Sequence, residues 1–320
     1  MSLSLRALPL GMFGAVMGIA GLGLASRGAA PLGWPALLAE AWVLLGALVG
    51  TALVCAYAVK AIRHHDALRA ELDNPATAGF CAALPVGLTL VAGGLEPYAP
   101  LAGRGLWLAA AVLLVALQAY VLSRWLRGGV EAGQVNGGWM ILFVGGIVFP
   151  SSGIPLGLAE PAAWFFIGSA AAVPFVMGAV AWRTVFGPPL PPPLRPTSFI
   201  LLVPPALVYV NGLALGQAPV FLEGLYFAGL VLAAGLLLAS RDVLGWPFGP
   251  PWWALTFPLD ALATAGARYA AAHPVPWAKA LALALLALAT AAVVFVLVRT
   301  VRALAAGTLL GSAAQAKGTA

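Results

Sequence analysis

Residues 281–298 read LALALLALATAAVVFVLV, and this stretch decides the fold class. Thr290 is its one polar residue, so a helix built from it is apolar on almost every face. An α-helix rises 1.5 Å per residue and needs about 20 apolar residues to cross a hydrocarbon core of ~30 Å. A membrane-spanning β-strand would instead alternate apolar and polar residues over about ten positions. The stretch therefore predicts a transmembrane helix.

The rest of the chain has the same character. Hydrophobic residues make up 62% of the 320 residues, charged residues make up 8%, and the mean hydropathy is +1.00. Soluble proteins keep roughly a quarter of their residues charged. We predict an all-α integral membrane protein with one transmembrane domain over residues 1–320. Its ten spans cover approximately residues 8–26, 38–60, 77–95, 101–123, 138–158, 161–182, 198–216, 221–240, 251–271 and 277–302.

The basic residues predict the orientation in the membrane. If the N-terminus is cytoplasmic, 12 of the 16 Lys and Arg residues, Lys317 among them, lie on the cytoplasmic side. The other 4 are Arg27, Arg104, Arg268 and Lys279. This bias predicts a multi-pass protein of the inner (plasma) membrane with both termini in the cytoplasm. It also explains the net charge of +6 without a nucleic-acid partner, because no basic patch is interleaved with aromatic residues.

Several kinds of chemistry have no support in the sequence. Cys55 and Cys81 lie within predicted spans, and the adjacent His64 and His65 lack the spacing of two metal ligands on one helical face. No aspartate cluster, Ser/His pairing at membrane depth or phosphate-binding glycine loop is present. We therefore expect no metal, no cofactor and no enzymatic activity. An intramembrane enzyme is the least favoured alternative.

Glycine and proline divide the predicted spans into two kinds. The odd-numbered spans carry these residues in or near their interiors, whereas the even-numbered spans lack an interior proline except for Pro174 in the sixth. Proline removes an intrahelical hydrogen bond, and the freed carbonyl must be satisfied by protein or by water in a cavity. We predict five helical hairpins around a central pore, with odd helices inside and even helices outside. Packing contacts between helices are the alternative explanation for these residues.

Five strings carry a family resemblance. They are PLGMFG at 9–14, ELDNP at 71–75, WMILFVGG at 139–146 followed by VFP at 148–150, FILLVPP at 199–205, and WWALTFPL at 252–259. In order and position they resemble the tellurite-resistance and C4-dicarboxylate transporter family, which includes the slow-type anion channels of plant guard cells. The resemblance implies a homotrimer of protomers with separate pores. It also implies that a phenylalanine of the ninth span, aligned with Phe257, closes each pore.

The resemblance also names candidates for the pore lining. These are Phe13, Gly14, Pro85, Phe143, Gly146, Phe149, Pro150, Pro204, Pro205 and Pro258. For Phe13, Phe143 and Phe149, ordinary packing is the favoured interpretation and a place beside the plug is the alternative. No predicted inner span carries Lys or Arg near its centre, so only exposed amides and half-helix N-termini can attract anions, and they do so weakly. We expect an anion channel or passive anion transporter that favours poorly hydrated anions.

Asp260 is the only acidic residue near the middle of a predicted span. Ionisable groups at this depth are costly and commonly functional. Three interpretations stay open: a proton-coupling site, a protonated structural group, and a site that attracts cations. The first supports an alternative function, the proton-coupled transport of C4-dicarboxylates or tellurite-type oxyanions.

Overall fold

A computed structural model describes residues 5–309; Lys317 lies outside this range. The described chain is helical throughout, and eight helices are long and apolar enough to cross a membrane. They are α1 (Leu10–Gly28), α2 (Ala36–Arg63), α3 (Pro75–Leu95), α4 (Pro100–Trp125), α6 (Ala159–Phe186), α7 (Pro192–Ala214), α8 (Pro219–Ala239) and α10 (Pro276–Ala305). Two shorter helices complete the numbering: α5 (Gly138–Gly153) and α9 (Thr256–Ala272).

The ten helices fall at the positions of the ten predicted spans, with some shifted ends. The α5 helix ends at Gly153 instead of residue 158. The α7 helix begins at Pro192 instead of residue 198, because prolines 192, 193 and 196 are accommodated in a 3-10 helix. The connection between the predicted spans 38–60 and 77–95 contains a short helix, His65–Asp73. Ten membrane crossings remain a prediction, since α5 and α9 are shorter than the other eight helices.

The helices form an inner and an outer layer, which confirms the predicted arrangement. In the most apolar part of α1, 78% of residues are buried within the protein, and the figure is 72% for α3 and α7. For α2, α4, α6, α8 and α10 it is between 17% and 28%. Each odd helix packs against the even helix that follows it. The outer helices therefore leave apolar surface for lipid, whereas the inner helices are enclosed by protein.

The inner helices are broken and the outer helices are continuous. Each odd helix contains or directly follows a 3-10 stretch: Leu10–Phe13, Gly79–Ala82, Gly145–Val148, Pro192–Leu202 and Pro250–Leu255. Pro85, Pro150, Pro204 and Pro258 each lie in the first turn of the α-helical segment that follows. Proline is tolerated there because the first-turn N–H groups have no intrahelical partner. The α6 helix remains continuous despite Pro174.

Candidate functional site

A wide cavity of about 1060 Å³ lies between the five inner helices. Each helix contributes to its wall, for example through Gly14, Val86, Val144, Val203 and Phe257. The wall is mainly apolar. Charged side chains occur where the N-terminal segment meets the short helix His65–Asp73, and they are Arg6, Asp66 and Glu71.

A second, much smaller cavity of about 40 Å³ lies deeper between the same five helices. Its lining residues are Gly21, Leu24, Leu90, Val148, Ser151, Leu207, Phe257, Asp260, Ala261 and Thr264. Phe257 and Val148 border both cavities, and Phe257 is buried. The Phe257 ring thus lies at the boundary between the wide cavity and the small one.

A row of glycines on α1 determines where the Phe257 side chain lies. Gly14, Gly18 and Gly21 share one face of the helix and pack against the 3-10 stretch and first turn of α9. A Cβ atom on Gly21 would lie 2.9 Å from Cδ2 of Phe257 and 3.0 Å from Oδ2 of Asp260. The absence of a side chain at Gly21 therefore provides the space that both side chains occupy.

Three of the predicted lining residues, Gly14, Pro204 and Pro258, border the wide cavity together with Phe257. The aromatic candidates lie elsewhere, in contacts with the outer helices. Phe13 packs against Tyr57, with 5.3 Å between ring centroids, and Phe143 lies 5.4 Å from Trp125. Phe149 stacks on Phe165 at 4.6 Å. These three rings therefore hold inner helices to outer helices, which is the packing interpretation noted above.

The remaining candidates border neither of these two cavities. Gly146 faces α6, where an added Cβ would meet Ser169, and an added Cβ on Gly229 of α8 would lie 3.5 Å from Cβ of Pro205. Pro85 and Pro150 are buried in the first turns of their helical segments. An inner helix presents one face to the axis and another to its outer neighbour, so a residue's presence on an inner helix does not determine which face it occupies.

Asp260 lines the small cavity one turn beyond Phe257 and is 1% exposed. Neither carboxyl oxygen has a hydrogen-bond partner among the residues the structure describes. The other two polar side chains of the cavity donate elsewhere: Ser151 to Oδ1 of Asn211 at 2.9 Å, and Thr264 to the backbone carbonyl of Asp260 at 2.9 Å. Between residues 5 and 309, no group of three or more His, Cys, Asp or Glu side chains is placed to hold a metal ion.

The sequence interpretation did not identify an ion pair beside the wide cavity. Lys60, the last residue of the predicted span 38–60, is fully buried and donates to the Glu71 carboxylate and to the carbonyl of Leu8, the latter at 2.6 Å. Glu71 also accepts from the N–H of Leu10 at 2.9 Å. The pair therefore holds the start of α1. No local pattern could have revealed it, because the partners lie on different helices.

A second ionic cluster lies at the opposite end of α1. Arg27 donates to Glu40 at 2.6 Å and to the carbonyl of Gly94 at 3.1 Å. The Tyr98 hydroxyl donates to the same carboxylate at 2.7 Å, and this hydrogen bond raises the pKa of the Tyr98 phenol. Charged side chains therefore tie the helices together at both ends of α1, while the wall between them is apolar.

The SLAC1 family, described as voltage-dependent anion channels, matches residues 7–301. The chain belongs to this family. The S-type anion channel SLAH2 of Arabidopsis thaliana is 25% identical over 233 residues, which are 71% of this chain and 44% of SLAH2. The S-type anion channel SLAH3 of the same plant is also 25% identical over 233 residues, 72% of this chain and 36% of SLAH3. The chain thus covers less than half the length of these relatives.

Membership of the SLAC1 family confirms the predicted resemblance and agrees with the helical architecture. The match to the SLAC1 family includes all ten helices except the last few residues of α10. Apart from Arg6 and Leu309, all residues that line the two cavities, Phe257 included, lie within the part of the chain that matches the family.

Proposed function

We propose that this chain is an anion channel or passive anion transporter whose path runs between the five inner helices and is closed at Phe257. One observation carries the proposal: the Phe257 ring borders both the wide cavity and the small one, and all five inner helices line both. A single aromatic side chain therefore lies where the two spaces would otherwise join. Membership of a family described as anion channels supports anions as the transported species.

The charge distribution favours a weakly selective path. Arg6 is the one Lys or Arg among the lining residues within residues 5–309, and it lies where the N-terminal segment meets the short helix His65–Asp73. The α-helical segments that begin at Gly14, Ala83, Val203 and Thr256 do so beside the wide cavity. Helix N-termini carry a partial positive charge, which attracts anions without replacing a full hydration shell. Poorly hydrated anions should therefore pass best, with nitrate at least equal to chloride.

The Phe257→Ala variant tests the proposal. Removing the ring joins the two cavities, so the anion current through purified protein in liposomes should rise at least tenfold. The melting temperature should fall only slightly, because the ring packs partly against empty space. An unchanged current with a strongly lowered melting temperature would show that Phe257 is a packing residue.

The matched control is Phe149→Ala. Phe149 is also a fully buried phenylalanine of an inner helix, but its ring packs against Phe165 and Trp107 instead of a cavity. Loss of a packed phenylalanine costs about 3–5 kcal/mol. We expect this variant to be destabilised without a gain in current, which separates gating from general loosening of the fold.

A proton-coupled transporter of C4-dicarboxylates or oxyanions is the second candidate, and the unpaired buried carboxyl of Asp260 is the observation that favours it. The two functions differ in energetics. Coupled transport requires flux that follows a pH gradient at fixed membrane potential, whereas passive transport does not. Measuring dicarboxylate uptake into liposomes with and without a pH gradient distinguishes them.

We further propose that the protein is a homotrimer in the inner (plasma) membrane, with a path in each protomer and both termini in the cytoplasm. The family resemblance supports the trimer and the distribution of basic residues supports the orientation. In the described chain, Arg6, Arg124 and Arg195 form ion pairs at the end that would face the cytoplasm.

A further inference from the structure

The small cavity beyond Phe257 contains an acidic side chain without a partner. Both Asp260 oxygens are buried, and neither forms a hydrogen bond within residues 5–309. Burying an ionised carboxylate that has no partner is far more costly than burying the neutral acid. This environment therefore favours the neutral carboxylic acid, which has one O–H donor.

This O–H is the one uncommitted side-chain donor among the residues that line the small cavity. Ser151 and Thr264 are the other polar lining residues, and each donates its hydroxyl hydrogen to another protein atom: Ser151 to Asn211 and Thr264 to the backbone carbonyl of Asp260. The carboxyl lies next to the Phe257 ring, because a Cβ added to Gly21 would lie 2.9 Å from the ring and 3.0 Å from Oδ2 of Asp260. An anion that passed the ring would meet this donor first.

We propose that the neutral carboxyl of Asp260 is the hydrogen-bond donor of an anion-binding site in the small cavity. This inference rests on the proposed function for the route by which the anion arrives. A cavity of about 40 Å³ has room for one small, largely dehydrated anion. Loss of the carboxyl proton would replace the donor with a negative charge beside the anion. Raising the pH should therefore weaken anion binding and reduce the passage of anions.

No charged side chain within residues 5–309 is hydrogen-bonded to Asp260 to compensate for its ionisation. The α9 helix packs against α1, α7, α8 and α10, and the small cavity also touches α3 and α5. The titratable or charged side chains on these helices are Arg27, Cys81, Arg195, Tyr209, Glu223, Tyr226, Arg268, Tyr269, Lys279, Arg299 and Arg302, with His273 directly after α9. None of them forms a hydrogen bond to the Asp260 carboxyl. Arg27 pairs with Glu40, and Glu223 pairs with His273.

The direct test measures binding without requiring conduction. Nitrate is added to purified protein, and the rise in melting temperature is recorded at about pH 6 and about pH 9, because a ligand that binds the folded state stabilises it. We expect nitrate to stabilise the wild type at the lower pH and to lose at least tenfold in affinity at the higher pH. Equal affinity at both pH values would overturn the proposal.

Two variants separate hydrogen bonding from charge. Asp260→Asn supplies N–H donors that do not titrate, so its nitrate affinity should be the same at both pH values. Asp260→Leu has no donor and should lose about tenfold in affinity at the lower pH, the scale of one hydrogen bond to a charged group. Nitrate binding by the Leu variant at the wild-type level would also overturn the proposal.

The matched control is His273→Gln, because histidine is the usual pH-sensitive side chain near neutrality. This variant should keep the wild-type pH dependence of nitrate binding; loss of that dependence would assign it to His273 and overturn the proposal. A further measurement uses Phe257→Ala protein that conducts. If its reversal potential follows a pH gradient, and adding Asp260→Asn abolishes this dependence, Asp260 transfers protons instead, which would overturn the proposal. If Phe257→Ala protein carries no current, the proposed function is refuted. The nitrate-binding measurements test the role of Asp260 independently of that result.

Discussion

Gly21 connects the two side chains on which the proposed path depends. The site of its missing Cβ lies 2.9 Å from Cδ2 of Phe257 and 3.0 Å from Oδ2 of Asp260. Both atoms belong to side chains that can rotate, so an added methyl group would displace them instead of the backbone. At the scale of single residues, a glycine therefore controls the position of a ring and of a carboxyl.

Gly21→Ala is expected to alter conduction more than stability. The methyl group should push the Phe257 ring towards the cavities, so that in liposomes the anion current changes several-fold while the melting temperature falls by only a few degrees. Gly235→Ala is the control, because an added Cβ there has no atom within 4 Å. A current equal to that of wild type would show that the ring position does not limit passage.

The broken inner helices show at the scale of elements how proline placement shapes the protein. In α3, α5, α7 and α9 a proline stands in the first turn of an α-helical segment, immediately after a 3-10 stretch. In α1, which lacks such a proline, the change from 3-10 to α-helix occurs at Gly14. Each inner helix therefore begins a new α-helical segment inside the protein, close to residues that line the cavities.

The glycine row of α1 also sets the distance between α1 and α9. We predict that Gly18→Ala destabilises the protein, because its Cβ would lie 2.8 Å from Cβ of Thr256 and still closer to the hydroxyl. Overpacking of this kind costs about 1–3 kcal/mol. Thermal unfolding should show a lower melting temperature, and adding Thr256→Ala should restore part of it by removing the hydroxyl. No recovery in the double variant would contradict this contact.

Across the whole molecule, inner and outer helices differ in continuity and in burial. Outer helices carry no interior break, bury less than a third of their most apolar residues, and leave the remainder partly or fully exposed. Inner helices contain the breaks, because only there can protein atoms or a cavity satisfy the freed backbone groups. The walls of the two cavities and the outward-facing apolar surface thus come from alternate segments of one chain.

Ten crossings and the charge bias predict that the C-terminal end lies in the cytoplasm. A reporter fused after Lys317 should therefore be active on the cytoplasmic side, and a second reporter between α1 and α2 should be active on the outer side. Protease accessibility in sealed membranes provides an independent measurement. An outer location for the Lys317 fusion would mean an odd number of crossings, and α5 and α9 would be the helices to reconsider.

Much of the architecture follows from the sequence alone. The membrane class follows from apolar runs such as residues 281–298, since no soluble core could enclose them. The division into inner and outer helices follows from glycine and proline, which the structure confirms through the burial of α1, α3 and α7. The five strings together predict family membership, because they occur in the expected order at five separate places in the chain, whereas one string alone would be too weak a match.

Only the tertiary structure decided which residues face the space between the inner helices. Phe149 and Phe257 are both buried phenylalanines beside a proline, yet one packs against α6 and the other borders two cavities. The Lys60–Glu71 pair likewise depends on two helices meeting across a turn. Composition and spacing determine which segments enter the membrane, because transfer from water depends on each residue's own polarity. The direction of a side chain depends on how a broken helix is rotated against its neighbours, and that rotation is set by contacts between residues far apart in the chain.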